Sequence, residues 1–146
     1  MKRLKKLVSR ILNKVIASSI TYQLTRIFDS YFASSSRQIE NVLMLQGRAL
    51  ALQNADRAPF DNIQKAEFKV FSQFGEDGIL QYLIRESGIE VHEQIFVEFG
   101  VENYSEANTR FLLQSDHWRG LIIDGNPDYI KTVKKFKHEN KNLIFC

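Results

Sequence analysis

Two short apolar runs, each closed by a carboxylate, restrict this chain more than any other feature. Ile95-Phe96-Val97 ends in Glu98, with Gly100 close behind. Leu121-Ile122-Ile123 ends in Asp124 and Gly125. Between them, Ala107–Gln114 carries helical spacing. The stretch from Gln94 to Pro127 therefore reads strand, turn, helix, strand. Strands joined by a helical crossover lie parallel, and a parallel sheet binds its ligands beyond the carboxyl ends of its strands. Glu98 and Asp124 both fall at that edge.

The chemistry of the edge follows from what is missing. Lys and Arg are absent from Val91 to Thr109, whereas Glu93, Glu98, Glu102 and Glu106 are present. A dinucleotide fold holds its pyrophosphate in this turn, on glycines and helix-terminal N–H groups. Here G-x-G-x-x-G is reduced to Gly100, with Glu102 in place of the second glycine. Phosphate-bearing cofactors are disfavoured, and a cationic nucleoside is favoured. S-adenosyl-L-methionine fits, having a sulfonium, an ammonium and no phosphate. Glu98 would hold the ammonium, directly or through water. Asp124 would accept both ribose hydroxyls on its two oxygens. Phe99 or Tyr104 would sit near the sulfonium or the adenine. An unliganded α/β scaffold, with the carboxylates serving the turns, stays open beside this reading.

Charge divides the chain. Met1 to Pro59 holds ten Lys and Arg against three Asp and Glu, about +7; the remainder carries about −4. The basic residues lie on the arm and no nucleic-acid motif accompanies them, so no nucleic-acid partner is expected. The single Cys146 and three scattered histidines give no metal-ligand spacing, and no metal is expected. In the arm, Leu4, Leu7, Val8, Ile11, Leu12, Val15 and Ile16 recur at three- and four-residue steps, with Lys5, Lys6, Arg10 and Lys14 on the other sides. Arg10 and Lys14 interrupt what would be the core of a signal peptide, and the segment is too short and too charged to span a bilayer. Leu24, Ile27, Phe28, Tyr31 and Phe32 continue the pattern past Ser18-Ser19, and Ile39, Val42, Leu43 and Leu50 resume it past Ser34-Ser35-Ser36. Residues 1–58 are expected to form two or three helices, or one long kinked one. Two roles stay open for this arm: peripheral contact of residues 1–17 with an anionic membrane surface, and packing on its own domain or on a second copy.

Ala58-Pro59-Phe60-Asp61 marks a boundary, and 59–146 is expected to be a second region. Phe68–Phe71 reads as a short extended segment. Ile79–Ile84 reads as an amphipathic helix closed by Gly88, with Asp77 or Ser72 capping its start. Gln73, Glu76 and Asp77 serve either this turn or the ligand edge. Pro127–Asn140 reads as a basic amphipathic helix bearing Tyr129, Ile130, Val133 and Phe136. Leu143–Cys146 reads as the start of a third strand.

Four blocks in this order, S-Q-F-G-E-D-G-I-L from Ser72, F-V-E-F-G-V-E-N-Y from Phe96, E-A-N-T-R-F-L-L from Glu106 and G-L-I-I-D-G-N from Gly120, resemble the FkbM-type branch of S-adenosylmethionine-dependent methyltransferases. They cover roughly Phe71 to Pro127. The resemblance implies a Rossmann-like methyltransferase fold and O-methylation of a sugar, polysaccharide or other small hydroxylated acceptor. By that likeness Glu98 and Gly100 match the first cofactor motif and Asp124 the ribose-binding acid. Gln73, Asp77 and Asn108 match positions near the cofactor, and Asn103, Tyr104, Gly125 and Asn126 lie inside the matching blocks. The departure is the glycine-poor turn Val101-Glu102-Asn103-Tyr104. The resemblance does not extend to the arm. Such a sheet has about seven strands, so the chain is expected to be the amino-terminal half of the domain, a truncated parallel sheet inactive on its own. No residue of these blocks is expected to be catalytic. The location expected is cytoplasmic.

Overall fold

The computed structural model describes residues 2–137 and 141–145, with side chains from 17 to 134 and from 141 to 145. It shows an α/β chain: a helical amino-terminal region and a small three-stranded parallel sheet. Two compact units divide it, Met1–Asn41 and Val42–Cys146. The apolar face expected on Leu4 to Ile16, the side chain of Phe136 and the whole of Cys146 lie outside the described residues.

Helix α1 runs unbroken from Lys2 to Arg57. Neither serine joint interrupts it. Ser is a tolerable helix former where no Pro or second Gly intervenes. The hydroxyls of Thr21 and Thr25 donate to the carbonyls of Ala17 and Thr21, one turn back, rather than competing for other partners. The helix stops at Arg57 because the residue before Pro59 is pushed out of the helical region.

Within Val42–Cys146, the last turns of α1 bury one side. Gly47 and Asn54 are buried, and Leu43, Met44, Leu50 and Ala51 pack against Phe68, Val70, Phe71 and Phe111. Gly47 permits this approach, since a Cβ there would sit 2.5 Å from Val70 Cγ2. Val42, Leu45 and Leu52 are exposed.

Phe68–Phe71 is not a strand. The amides of Val70, Phe71 and Ser72 donate to one carboxylate oxygen, Asp77 Oδ2, at 2.7, 2.8 and 2.9 Å, so they join no ladder. For the same reason Asp77 does not cap α2 (Glu76–Ser87), whereas the Ser72 hydroxyl accepts from the first-turn amide of Asp77 at 3.0 Å and satisfies one free N–H of the helix start. The cap position is Gly75, whose φ of 97° suits glycine. Gly88 closes α2 in the left-handed conformation, as its spacing indicates.

Strand β1 (Ile95–Phe99) leads through a long turn into α3 (Arg110–Ser115), β2 (Arg119–Ile123), α4 (Pro127–Lys137) and β3 (Leu143–Phe145). The strand order is β1-β2-β3, all parallel, with Phe96 paired to Gly120 and Gly120 to Leu143. Both crossovers step in the same direction, so a common hand puts α3 and α4 on one face. That face holds the core: Phe96, Ile122 and Leu143 pack with Leu112, Leu113 and Val133. On the other face Ile95, Val97, Phe99 and Ile144 are exposed. Strands buried on both sides read as continuous apolar runs, and these runs have that composition.

Candidate functional site

The turn between β1 and α3 is built on unusual backbone. Gly100, Glu102 and Tyr104 all have positive φ, at 67°, 50° and 62°. Gly100 extends the ladder, its N–H donating to Ile123 O at 3.0 Å. Two non-glycine residues in the left-handed region cost on the order of 1–2 kcal/mol each. The cluster sits at the carboxyl edge of β1 and β2, where strain and ligand sites coincide.

Glu98 reaches from β1 to the start of α3. Its Oε1 accepts from Asn108 N at 2.9 Å and its Oε2 from Thr109 N at 3.2 Å, with a further bond from the Thr109 hydroxyl. Glu98 is thus a clamp on the helix entry, and Oε1 keeps one acceptor position. Nothing in the spacing of the strands marks Thr109 as a partner of Glu98. Its place just ahead of a helix, where a hydroxyl residue is favoured, is the signal that finds it.

Asp124 ends β2. Its Oδ2 accepts from Glu102 N at 3.1 Å and its Oδ1 from Asn126 N at 2.8 Å. The carboxylate joins the two strand-end turns and keeps an acceptor position on each oxygen. Asn126 caps α4: its Oδ1 accepts from Asp128 N at 2.9 Å, with Pro127 at the first helical position. A Cβ built on Gly100 or Gly125 meets nothing within 4 Å, so the space beside both is open.

The other candidate residues separate. Tyr104 is fully buried, and its hydroxyl lies 3.2 Å from Thr109 Oγ1. No ring face is left for a nucleoside. Burial pushes the phenol above its ordinary range and keeps it neutral. Asn103 Oδ1 accepts from Ser105 N at 2.9 Å and closes a local turn. The Asn108 side chain is exposed beside the clamp, and Phe99 is exposed on the bare sheet face. Asp77 is buried and holds the 70–72 segment. Gln73 is exposed on the neighbouring loop. Lys69 bridges that loop to the β1–α3 turn, donating to Gln73 O at 2.9 Å and lying 3.8 Å from Glu106. The structure thus joins Glu98, Gly100, Asn108, Asp124, Gly125 and Asn126 at one edge. It takes Tyr104 and Asp77 into the interior. A cavity of about 440 Å³ lies elsewhere, at the far end of α3 among Arg48, Gln81, Tyr82 and Asp116.

Compared with protein-family models, curated proteins and solved structures, the chain has no match. Among the described residues no helix is long and apolar enough to cross a membrane.

Proposed function

We propose that this edge is the nucleoside-binding end of a Rossmann-like, S-adenosylmethionine-dependent O-methyltransferase of the FkbM type. The acceptor would be a sugar, a polysaccharide or another small hydroxylated molecule, and the location cytoplasmic. One observation carries the reading: Asp124 presents an unused acceptor position on each oxygen beside two glycines with open space over them. A ribose diol offers two hydroxyl donors at a matching spread. The absence of Lys and Arg from Val91 to Thr109 supports a cationic rather than a phosphorylated ligand. Glu98 Oε1, which accepts only from Asn108 N, would accept from an ammonium. The bound cofactor would supply an activated methyl group. The part these residues play is to fix its nucleoside in place, which is where positioning contributes to transfer.

The experiment is calorimetric. Asp124→Ala should weaken S-adenosylmethionine binding by about 1–3 kcal/mol, because the diol loses both acceptors. Asp124→Asn keeps one acceptor oxygen and should lose less. Thermal unfolding of each variant separates lost binding from lost structure, since Asp124 also ties the two turns together. Equal affinity in folded wild type and Asp124→Ala would remove the ribose assignment.

A second reading is favoured by a separate observation. Helix α1 carries Ile20, Leu24, Ile27, Tyr31, Val42 and Leu45, all about half exposed or more. Such a stripe suits an interaction module, with or without chemistry at the sheet.

A further inference from the structure

We propose that the cavity between the last turns of α1, α2 and the carboxyl end of α3 binds a small organic monoanion, a carboxylic acid with an apolar body. The cavity lies wholly within the Val42–Cys146 unit, and the proposal does not depend on what binds at Asp124. Glu98 grips the amino-terminal end of α3, and the cavity lies at the other end. Its volume of about 440 Å³ is that of a small-molecule site, roughly 300–1,000 Å³. Three helices enclose it. The end of α1 brings Arg48 and Leu52, α2 brings Tyr82 and Arg85, and the end of α3 brings Ser115 and Asp116.

The lining is short of negative charge. Two guanidiniums share it with one carboxylate, a net charge of +1. Asp116 is already engaged, accepting from the side-chain amide of Gln81. Among the described residues neither Arg48 nor Arg85 pairs with a carboxylate. Arg48 is held in place. Its Nε donates to Ser115 Oγ at 3.2 Å and its Nη2 lies 3.5 Å from Ser115 O, where a cation complements the carboxyl end of α3. The N–H groups of Nη1 remain for a ligand. Tyr82 is fixed as well: its hydroxyl accepts from Phe60 N at 3.4 Å, and its ring lies against that of Phe60 with centroids 5.2 Å apart. The proton of that hydroxyl has no acceptor among the described residues. Arg85 stands exposed on the same side of α2, three residues on.

These donors select the ligand. Guanidinium and phenol hydrogens call for an acceptor, and a guanidinium meets a carboxylate as a two-point fork. The net charge of the lining matches a single negative charge. A phosphate group, at about −1.5 to −2 near pH 7, would set excess charge beside Asp116 and the last carbonyls of α3. Between the charged groups the walls are Ala51, Leu52, Ala55 and the ring of Tyr82. Leu52 is exposed, and an apolar body laid against it removes that surface from water.

The test is calorimetric titration of the whole chain with three probes: naphthoate, the neutral naphthylmethanol and inorganic phosphate. Naphthoate should bind with a dissociation constant at or below about 1 mM, the strength open to so small a ligand. It should bind at least about tenfold more tightly than either other probe. Arg85→Ala, a change at an exposed position, should bring naphthoate down to the affinity of the alcohol and leave thermal unfolding unchanged. Leu52→Glu, also exposed, places a like charge in the wall and should weaken naphthoate at least about tenfold. Both variants should bind S-adenosylmethionine as wild type does, which separates this site from the edge at Asp124. No binding of naphthoate, equal binding of acid and alcohol, or wild-type affinity in folded Arg85→Ala overturns the proposal. Phosphate bound as tightly as naphthoate overturns the class of ligand.

Discussion

Asp77→Ala should destabilise the Val42–Cys146 unit by about 3–5 kcal/mol, a large part of the 5–15 kcal/mol that holds an ordinary domain together. The reason is the number of groups that converge on one oxygen. Asp77 Oδ2 accepts from three buried backbone amides and, at 2.9 Å, from the Ser72 hydroxyl. Each orphaned donor costs about 1–3 kcal/mol. Those amides belong to Val70, Phe71 and Ser72, and the first two pack in the cluster that anchors the last turns of α1. Releasing them also loosens Leu43, Met44 and Leu50. The carboxylate lies in the first turn of α2, where its charge complements the helix amino terminus. Asp77→Asn retains an acceptor of the same shape and should lose only about 1–2 kcal/mol. Urea unfolding measures both, and an alanine variant within about 1 kcal/mol of wild type would show that the segment is held by packing alone.

Gly120→Val should cost about 3 kcal/mol or more, at the upper end of what forcing a side chain into a filled core costs. The phenyl ring of Phe96 lies directly over this residue. A Cβ built on Gly120 falls 2.0 Å from Phe96 Cζ and 2.2 Å from Cε2. The two residues are register partners on the helix-covered face, so the ring fills the place of a β2 side chain. The backbone of Gly120 needs no special conformation, and the clash is with the ring alone. Phe96→Ala combined with Gly120→Val should therefore recover part of the loss, a coupling that a double-mutant cycle resolves. Strictly additive losses would contradict the packing described.

The same residues show what can be read from a sequence and what cannot. The strands were legible because each is a run of apolar residues bounded by turn formers. Gly88 marked the end of α2 because a left-handed cap has few other chemistries. The edge holding Glu98 and Asp124 followed from strand order alone. The reach of Asp77 was not legible. It binds amides five to seven residues earlier, and only the curl of the segment between brings them together. Tyr104 misled for a related reason. It lies in a polar turn, but its φ of 62° accompanies a ring turned into the core. Asn126, expected among the ligand contacts, serves as a helix cap, which its position before Pro127 indicates. The length of α1 was hidden by clusters of serine, which mark joints less reliably than glycine or proline.

Titration calorimetry of the whole chain with S-adenosylmethionine and, separately, with a nicotinamide dinucleotide tests the central claim most directly. Both ligands carry a ribose diol for Asp124. Only the dinucleotide brings a pyrophosphate to an edge that holds Glu98, Glu102, Glu106 and Asp124, where the neighbouring cations Lys69 and Arg110 already donate to the carbonyls of Gln73 and Ser105. The expected result is measurable binding of S-adenosylmethionine, weakened by about 1–3 kcal/mol in Asp124→Ala, with the dinucleotide at least about tenfold weaker, a difference of about 1.4 kcal/mol. Tighter binding of the dinucleotide, or no binding of S-adenosylmethionine to the folded chain, would contradict the account.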